Sequence, residues 1–327
     1  MNSVIKKTTA IILFGFFALC FLHARGAVEE NRDIAHPLTI YVIKGSSGVG
    51  MIRLFEEPPE ISGFSVKMEA LAQQDLMAAR FISGDAKVGI LPPNMAAKIA
   101  SSGKDIRVAA VLGEGMLSLF SADPDIHSIE DLKGKTVEVA GQGATPDYVF
   151  RRILTSHGLI PDRDLKLGYS LAPPEIAQAL ITGKASFALL PEPFATMALE
   201  GKPDLRQLAD IQAEWKGTQG RNFPMTVLAV DGAFAAANPG AIREILAAVK
   251  NSVEWVQSHH TEAGALVEKH GLGIGAVVAA AAIPKSGYVF IPASEARPAM
   301  ETLFNVFLMN SPVSIGGVMP AEKFYWK

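Results

Sequence analysis

Thr136-Val-Glu-Val-Ala-Gly-Gln-Gly-Ala-Thr-Pro-Asp-Tyr148, with the apolar-periodic run that carries it on to His157 and Gly158, decides how the rest of the chain is read. Val137 and Val139 predict a short buried strand, and Gly141 and Gly143 a tight turn. Thr145 stands where a helix N-cap belongs. Pro146 takes the first helical position, where a missing N–H costs nothing, and Asp147 the first turn, where a carboxylate suits the dipole. Val149, Phe150, Ile153 and Leu154 supply one apolar face, and Gly158 after His157 is a C-terminal stop. The pattern is strand, glycine loop, exposed helix N-terminus. Free N–H groups at such an end, with a hydroxyl beside them, seat a small anionic or polar group. The same Gly-Ala-Thr-Pro loop can also do no more than close a βα turn, and the stretch alone leaves both readings open.

A second copy adds weight to the first reading. Ile181-Thr-Gly-Lys-Ala-Ser-Phe-Ala-Leu-Leu-Pro-Glu-Pro193 matches Ile82-Ser-Gly-Asp-Ala-Lys-Val-Gly-Ile-Leu-Pro-Pro-Asn94 position for position, at an offset of 99 residues. Each is a helix end, a Ser/Thr-Gly stop, an apolar strand and a proline turn. Ile40-Tyr-Val-Ile-Lys-Gly-Ser-Ser-Gly-Val-Gly50 likewise parallels Val137 to Pro146. The chain therefore holds two similar β-loop-α-β-α-β units. Ligands of open parallel sheets bind outside the carboxyl ends of the strands, so each unit offers two loops on one edge, and two facing edges make a cleft.

At 327 residues the chain exceeds one comfortable core, and two domains are expected. Residues 1–26 read as a secretory signal peptide: Lys6 and Lys7 form the charged region, Thr8 to Leu22 is largely apolar, and Ala24-Arg25-Gly26 is a small-x-small cleavage site. The only cysteine, Cys20, lies inside this segment, with Leu19 where a lipid-anchored cysteine wants a small neighbour. The mature chain is thus expected to be extracytoplasmic or periplasmic, without thiols or disulfides. Loss of Lys6, Lys7 and Arg25 leaves 27 of the 30 basic side chains against 33 acidic ones, which argues against nucleic acid or an anionic membrane as the main partner.

The order of signals predicts strands over Leu38–Ile43, Ser65–Ala70, Val88–Leu91 and Ile106–Leu112, alternating with helices at Gln74–Ile82 and Met95–Ser101. Gly115 to Ser121 runs extended and reads as a first crossing between lobes; Ser128 and Asp131 look like a capping box. The second unit continues through strand Leu165–Tyr169, helix Pro173–Ile181, strand Phe187–Leu190 and helix Phe194–Leu199. Phe223 to Val230 is the natural return crossing, and beyond it the chain reads as helical, with no further strand. Parallel, doubly wound sheets follow from this alternation. Lobe 1 is expected from residues 37–119 plus 224–327, and lobe 2 is an insert at 120–223.

Asp131-Leu-Lys-Gly-Lys-Thr-Val137 before the Gly-Ala-Thr-Pro loop, the Leu190-Pro-Glu-Pro-Phe194 turn and this architecture resemble the substrate-binding proteins of ABC importers. The branch is that of nitrate, sulfonate, taurine and thiamine-precursor binders, related to thiamine-pyrimidine synthase, and the resemblance covers essentially the whole mature chain. It implies an α/β type II periplasmic-binding-protein fold, two doubly wound α/β lobes joined by two hinge strands. It further implies a monomer that catches a small molecule between its lobes and hands it to a membrane permease, without cofactor or metal. The cysteine-rich motif of the related synthase is absent. An enzyme of the same fold acting on a small carboxylate, or a ligand-sensing adaptor, are the alternative classes.

Four loop edges supply the expected site. Lobe 1 offers Ser46, Ser47 and Asn94; lobe 2 offers Gly143, Ala144, Thr145 and Glu192, with Tyr148 or Phe194 as a platform for a planar ring. Glu192 suits a ligand amine or heterocyclic N–H. Lys44 is the only basic residue in these loops, which favours a zwitterion or small heterocycle over a fully ionic oxyanion. Each residue also has a plainer reading: Ser46 and Ser47 as loop residues, Asn94 as a cap, Glu192 as a helix-start charge, Phe194 as core. His259-His260 reads as solvated surface rather than a metal site.

Overall fold

The computed structural model describes residues 35–327; the segment read as a secretory signal, with Cys20, lies outside them. Chain order is β1 (His36–Ile43), α1 (Ser46–Val49), α2 (Arg53–Glu56), β2 (Phe64–Leu71), α3 (Gln74–Ser83), β3 (Val88–Leu91), α4 (Pro93–Ser101) and β4 (Ile106–Glu114). Then come β5 (Leu117–Ser121), β6 (Thr136–Val139), α5 (Thr145–Ser156), β7 (Lys166–Gly168), α6 (Pro173–Ile181), β8 (Phe187–Pro191), α7 (Phe194–Gly201), β9 (Arg206–Asp210) and α8 (Ile211–Gln219). β10 (Pro224–Asp231) is followed by α9 (Gly232–Ala237), α10 (Pro239–Ser258), α11 (His260–Lys269), α12 (Ala276–Ala282), β11 (Tyr288–Pro292) and α13 (Ala293–Asn310). No helix among the described residues is long and apolar enough to cross a membrane.

The strands form two sheets, ordered β11-β4-β10-β3-β1-β2 and β7-β6-β8-β5-β9. Counted within each unit, both sheets run second, first, third, a strand from across the molecule, then fourth. The repeat in sequence is therefore a repeat in topology. In the first sheet β1 pairs parallel with β2 and β3, while β10 runs antiparallel between β3 and β4. In the second, β6 pairs parallel with β7 and β8, while β5 runs antiparallel between β8 and β9. The purely parallel sheets expected from the alternation are thus mixed. A chain leaving the carboxyl edge of one sheet enters the other at its carboxyl edge, so each crossing strand must oppose its new neighbours.

Three further points differ from the sequence reading. Leu117 to Ser121 is a strand of the second sheet, so the first crossing shrinks to Gly115 and Met116. Asp131 does accept the N–H groups of His127 and Ser128, at 2.9 Å each, but it heads a single 3-10 turn at Glu130–Leu132. The tail is not wholly helical either: β11 pairs antiparallel with β4 from Tyr288 opposite Gly113 to Pro292 opposite Ala110. Tyr288-Val-Phe-Ile is a short β-branched and aromatic run between Gly287 and Pro292, and pairing there covers an edge that would otherwise stand open.

Helix packing follows the periodicity. Ile242, Ile245, Val249, Val253 and Val256 of α10 are buried against Val42, Ile90, Ala110 and Leu228 of the first sheet. Each such side chain contributes about 1.5–3 kcal/mol. A second cluster joins Phe304 and Phe307 of α13 with Val149, Phe150 and Ile153 of α5, so apolar packing is continuous from one sheet's helices to the other's.

The two crossings are bonded to each other. Gly115 N–H donates to Phe223 C=O at 3.1 Å, and Phe223 N–H donates to the Gln212 side chain at 3.2 Å. Gly115 has φ 65° and Met116 φ 58°. A left-handed conformation is ordinary for glycine and strained for methionine. The strain sits where the chain changes sheets.

Candidate functional site

The turn after β8 places Glu192 beside the crossing. Its N–H donates to Met116 C=O at 2.9 Å, and its Oε2 accepts the Thr196 N–H at 3.0 Å, capping α7. The side chain is 4% exposed. Burial pushes its carboxyl above the usual carboxylate range, against the opposing pull of Thr196 and Lys285. Lys285 comes from the other sheet's flank, on the 3-10 turn Ile283–Lys285, and its Nζ lies 3.4 Å from Thr196 Oγ1. Tyr288, fully buried nearby, donates its O–H to Ser46 C=O at 3.0 Å; burial and then the Glu192 charge raise its phenol. Tyr288 is thus bonded to Ser46 of one unit and feels the charge of Glu192 of the other.

A cavity of about 610 Å³ opens between the units at this point, lined by Glu114, Ser118, Glu192, Asp210, Asn222 and Lys285 among others. Glu114, at the end of β4 and 9% exposed, accepts the Asn222 side-chain N–H at 2.8 Å through Oε2. Of the residues expected from sequence, only Glu192 lines this cavity.

The glycine loop is built as expected in outline and differs in detail. Gly141 and Gly143 have φ 81° and 71°, which the turn requires. Ala144, not Thr145, is the N-cap of α5, and Thr145 is its first helical residue. The Gly143 N–H expected to be free donates to Asp147 Oδ2 at 2.9 Å. Asp147, 3% exposed, also accepts from Arg151 Nε at 2.7 Å and from the Tyr169 hydroxyl at 2.6 Å. It anchors the loop from beneath, a role that the dipole argument alone did not assign. Thr145 Oγ1 and Asn94 Oδ1 are both buried and have no hydrogen-bond partner. A buried polar atom without a partner costs about 1–3 kcal/mol, so each is a position that an added donor would stabilise.

The aromatic residues are spoken for by packing. Tyr148 meets Phe307 edge-on, with ring centroids 4.9 Å apart, and Phe194 packs on the cluster around Leu190 and Ala195. Ser46 and Ser47 are half-buried at the start of α1. His259 stacks on Trp255 at 5.0 Å, and His260 Nε2 lies 2.8 Å from Gln257 C=O, so the two rings serve their own helix ends.

The sequence profile of the NMT1-like family matches residues 60–268, well over half of the chain. The chain belongs to that family. A comparison with curated proteins gives no match. Among solved structures, an ABC transporter protein from Parabacteroides distasonis is 24% identical, with a TM-score of 0.78 over 89% of this chain and 98% of that one. The periplasmic aliphatic sulphonate-binding protein SsuA from Escherichia coli is 19% identical, with a TM-score of 0.72 over 89% and 92%. The periplasmic nitrate-binding protein NrtA from Synechocystis PCC 6803 is 12% identical, with a TM-score of 0.54 over 75% and 69%. This NMT1-like chain has the two-sheet α/β fold of those binding proteins.

Sequence reasoning missed Glu114, Lys285 and Tyr288. Glu114 lies two residues beyond the predicted end of its strand, and the other two fall in the stretch read as helix. An aromatic and β-branched run after Gly287 was the available signal.

Proposed function

We propose that this NMT1-like protein is the extracytoplasmic solute-binding component of an ABC importer. It captures a small polar or heterocyclic molecule between two lobes, residues 37–119 plus 224–327 and residues 120–223, and delivers it unchanged to a membrane permease. The single observation that carries the reading is the cavity of about 610 Å³ between the units, with both crossings at its edge and buried polar groups from each side. Solved structures of like fold support it, among them sulphonate- and nitrate-binding proteins.

Closure is the mechanism that fits. A ligand that touches both lobes only when they meet has a higher affinity for the closed state, and that difference alone moves the equilibrium. Of the residues expected from sequence Glu192 lines the cavity as it stands; Ser46, Ser47 and Asn94 on one side and Gly143, Ala144 and Thr145 on the other, with Tyr148 and Phe194 behind them, join the contact set only on closure. The strained Met116 and its neighbour Gly115 absorb the backbone rotation.

The purified mature chain, stripped by partial unfolding, is to be screened by thermal shift, with small-angle scattering on every hit. A ligand at roughly 100 times its Kd adds about 2.7 kcal/mol of stability. A raised midpoint, a smaller radius of gyration and recovery of the ligand unaltered are expected. Turnover of the hit would instead make the protein an enzyme of this fold.

A further inference from the structure

We propose that the solute carries a positively charged nitrogen, an amine or amidine, seated on the Glu192 and Glu114 carboxylates, and that the site selects against oxyanions such as sulfonates and nitrate. The inference rests on the solute-binding reading of the same cavity.

Glu192 and Glu114 are 4% and 9% exposed and line one cavity. Each has one oxygen held by an uncharged donor, the Thr196 N–H at 3.0 Å and the Asn222 amide at 2.8 Å. Beyond these donors and the neighbouring Thr196 hydroxyl at Glu192, no side chain among the described residues hydrogen-bonds either carboxylate, and no Lys, Arg or His forms an ion pair with either. A structural carboxylate this deeply buried is normally paired with a cation or fully hydrogen-bonded. Both residues line a cavity large enough for a small organic molecule.

Lys285 is the one ammonium among the cavity-lining residues, and its side chain is exposed on the far lobe. It reaches Thr196 Oγ1 rather than either carboxylate. Asp210 adds a third carboxylate, with Oδ1 already capping α8 through Gln212 and Ala213 N–H. The lining is therefore acidic on balance, which favours a cation and repels an oxyanion. The groups acting on Glu192 are Thr196, Lys285, Glu200 and Tyr288. Burial already draws a proton to Glu192, so a cation and a proton compete for one seat.

Calorimetric titration with agmatine and putrescine as cationic probes, and with methanesulfonate and nitrate as anionic ones, tests the assignment. Binding of a cationic probe is expected, weakened at least about tenfold in Glu192→Gln and in Glu114→Gln. Both variants keep an acceptor for the existing donor. Lys285→Met, at an exposed position, is expected to tighten the cation severalfold, and affinity is expected to fall as pH is lowered through the raised range of the Glu192 carboxyl. Failure of both cationic probes overturns the inference. Binding of methanesulfonate or nitrate that Lys285→Met abolishes overturns it too, while leaving the solute-binding reading intact.

Discussion

Asp147→Ala removes the acceptor shared by three donors: Gly143 N–H at 2.9 Å, Arg151 Nε at 2.7 Å and Tyr169 O–H at 2.6 Å. A charge-assisted hydrogen bond contributes about 1.5–3 kcal/mol, a neutral one about 1, and breaking a buried pair costs about 3–5 kcal/mol. Arg151 keeps Asp162 Oδ2 at 2.7 Å, so its guanidinium is not left alone. That partner is more than half exposed and takes up only part of the loss. The expected net cost is roughly 3–4 kcal/mol, which for a chain of this size lowers the midpoint by roughly 5–7 °C. Ligand-free thermal and urea unfolding, followed by circular dichroism, reads it directly. Asp147→Asn, retaining one acceptor oxygen, should lose about half as much. A double-mutant cycle with Arg151→Met should return a coupling of about 1–3 kcal/mol. An Asp147→Ala variant within about 1 kcal/mol of the parent refutes the argument that this carboxylate anchors the glycine loop.

Thr145→Val deletes a buried hydroxyl that has no partner, so the free protein should be as stable as the parent or gain up to about 1–2 kcal/mol, while ligand affinity falls; unchanged affinity by calorimetry would remove Thr145 from the site. Gly115→Ala places a Cβ at φ 65° and 2.9 Å from the Gln212 side chain, and should cost at least about 1–2 kcal/mol in urea unfolding. His157 bridges Glu130 at 2.7 Å and Glu214 at 2.9 Å; burial pulls its imidazole down, and the two carboxylates outweigh burial and raise it. Its stabilising effect is therefore complete below the ordinary value of about 6.5 and is lost as pH rises through the raised one, so the urea midpoints of the parent and His157→Gln should converge on the alkaline side.

Most of the strand and helix order was legible because each element carried its own punctuation. Val88–Leu91 and Pro173–Ile181 stand where the apolar runs and the Gly and Pro stops put them. β9 escaped notice, although the offset of 99 residues sets Leu205 opposite Ile106 at the start of β4. Its half-exposed, charged edge has no apolar run of its own, and only the repeat marks it. β11 escaped because a five-residue strand among long helices is stabilised by the edge of β4, a partner far away in sequence.

Within the site, the chain alone determined which loops end strands, which of them start helices, and that Glu192 follows a proline turn in the second copy of a repeat. These are local facts, set by side-chain periodicity and by the conformations open to glycine and proline. Whether Gly143 N–H is free, whether Thr145 caps a helix, and which carboxylates share a cavity depended on tertiary structure. Asp147 reaches back four residues to take the Gly143 proton, Lys285 and Tyr288 arrive from the other lobe's flank, and Glu114 meets Asn222 across the paired crossings. Hydrogen bonds and burial are properties of groups brought together in space, and positions 89 to 242 residues apart carry no mark in sequence that they will meet.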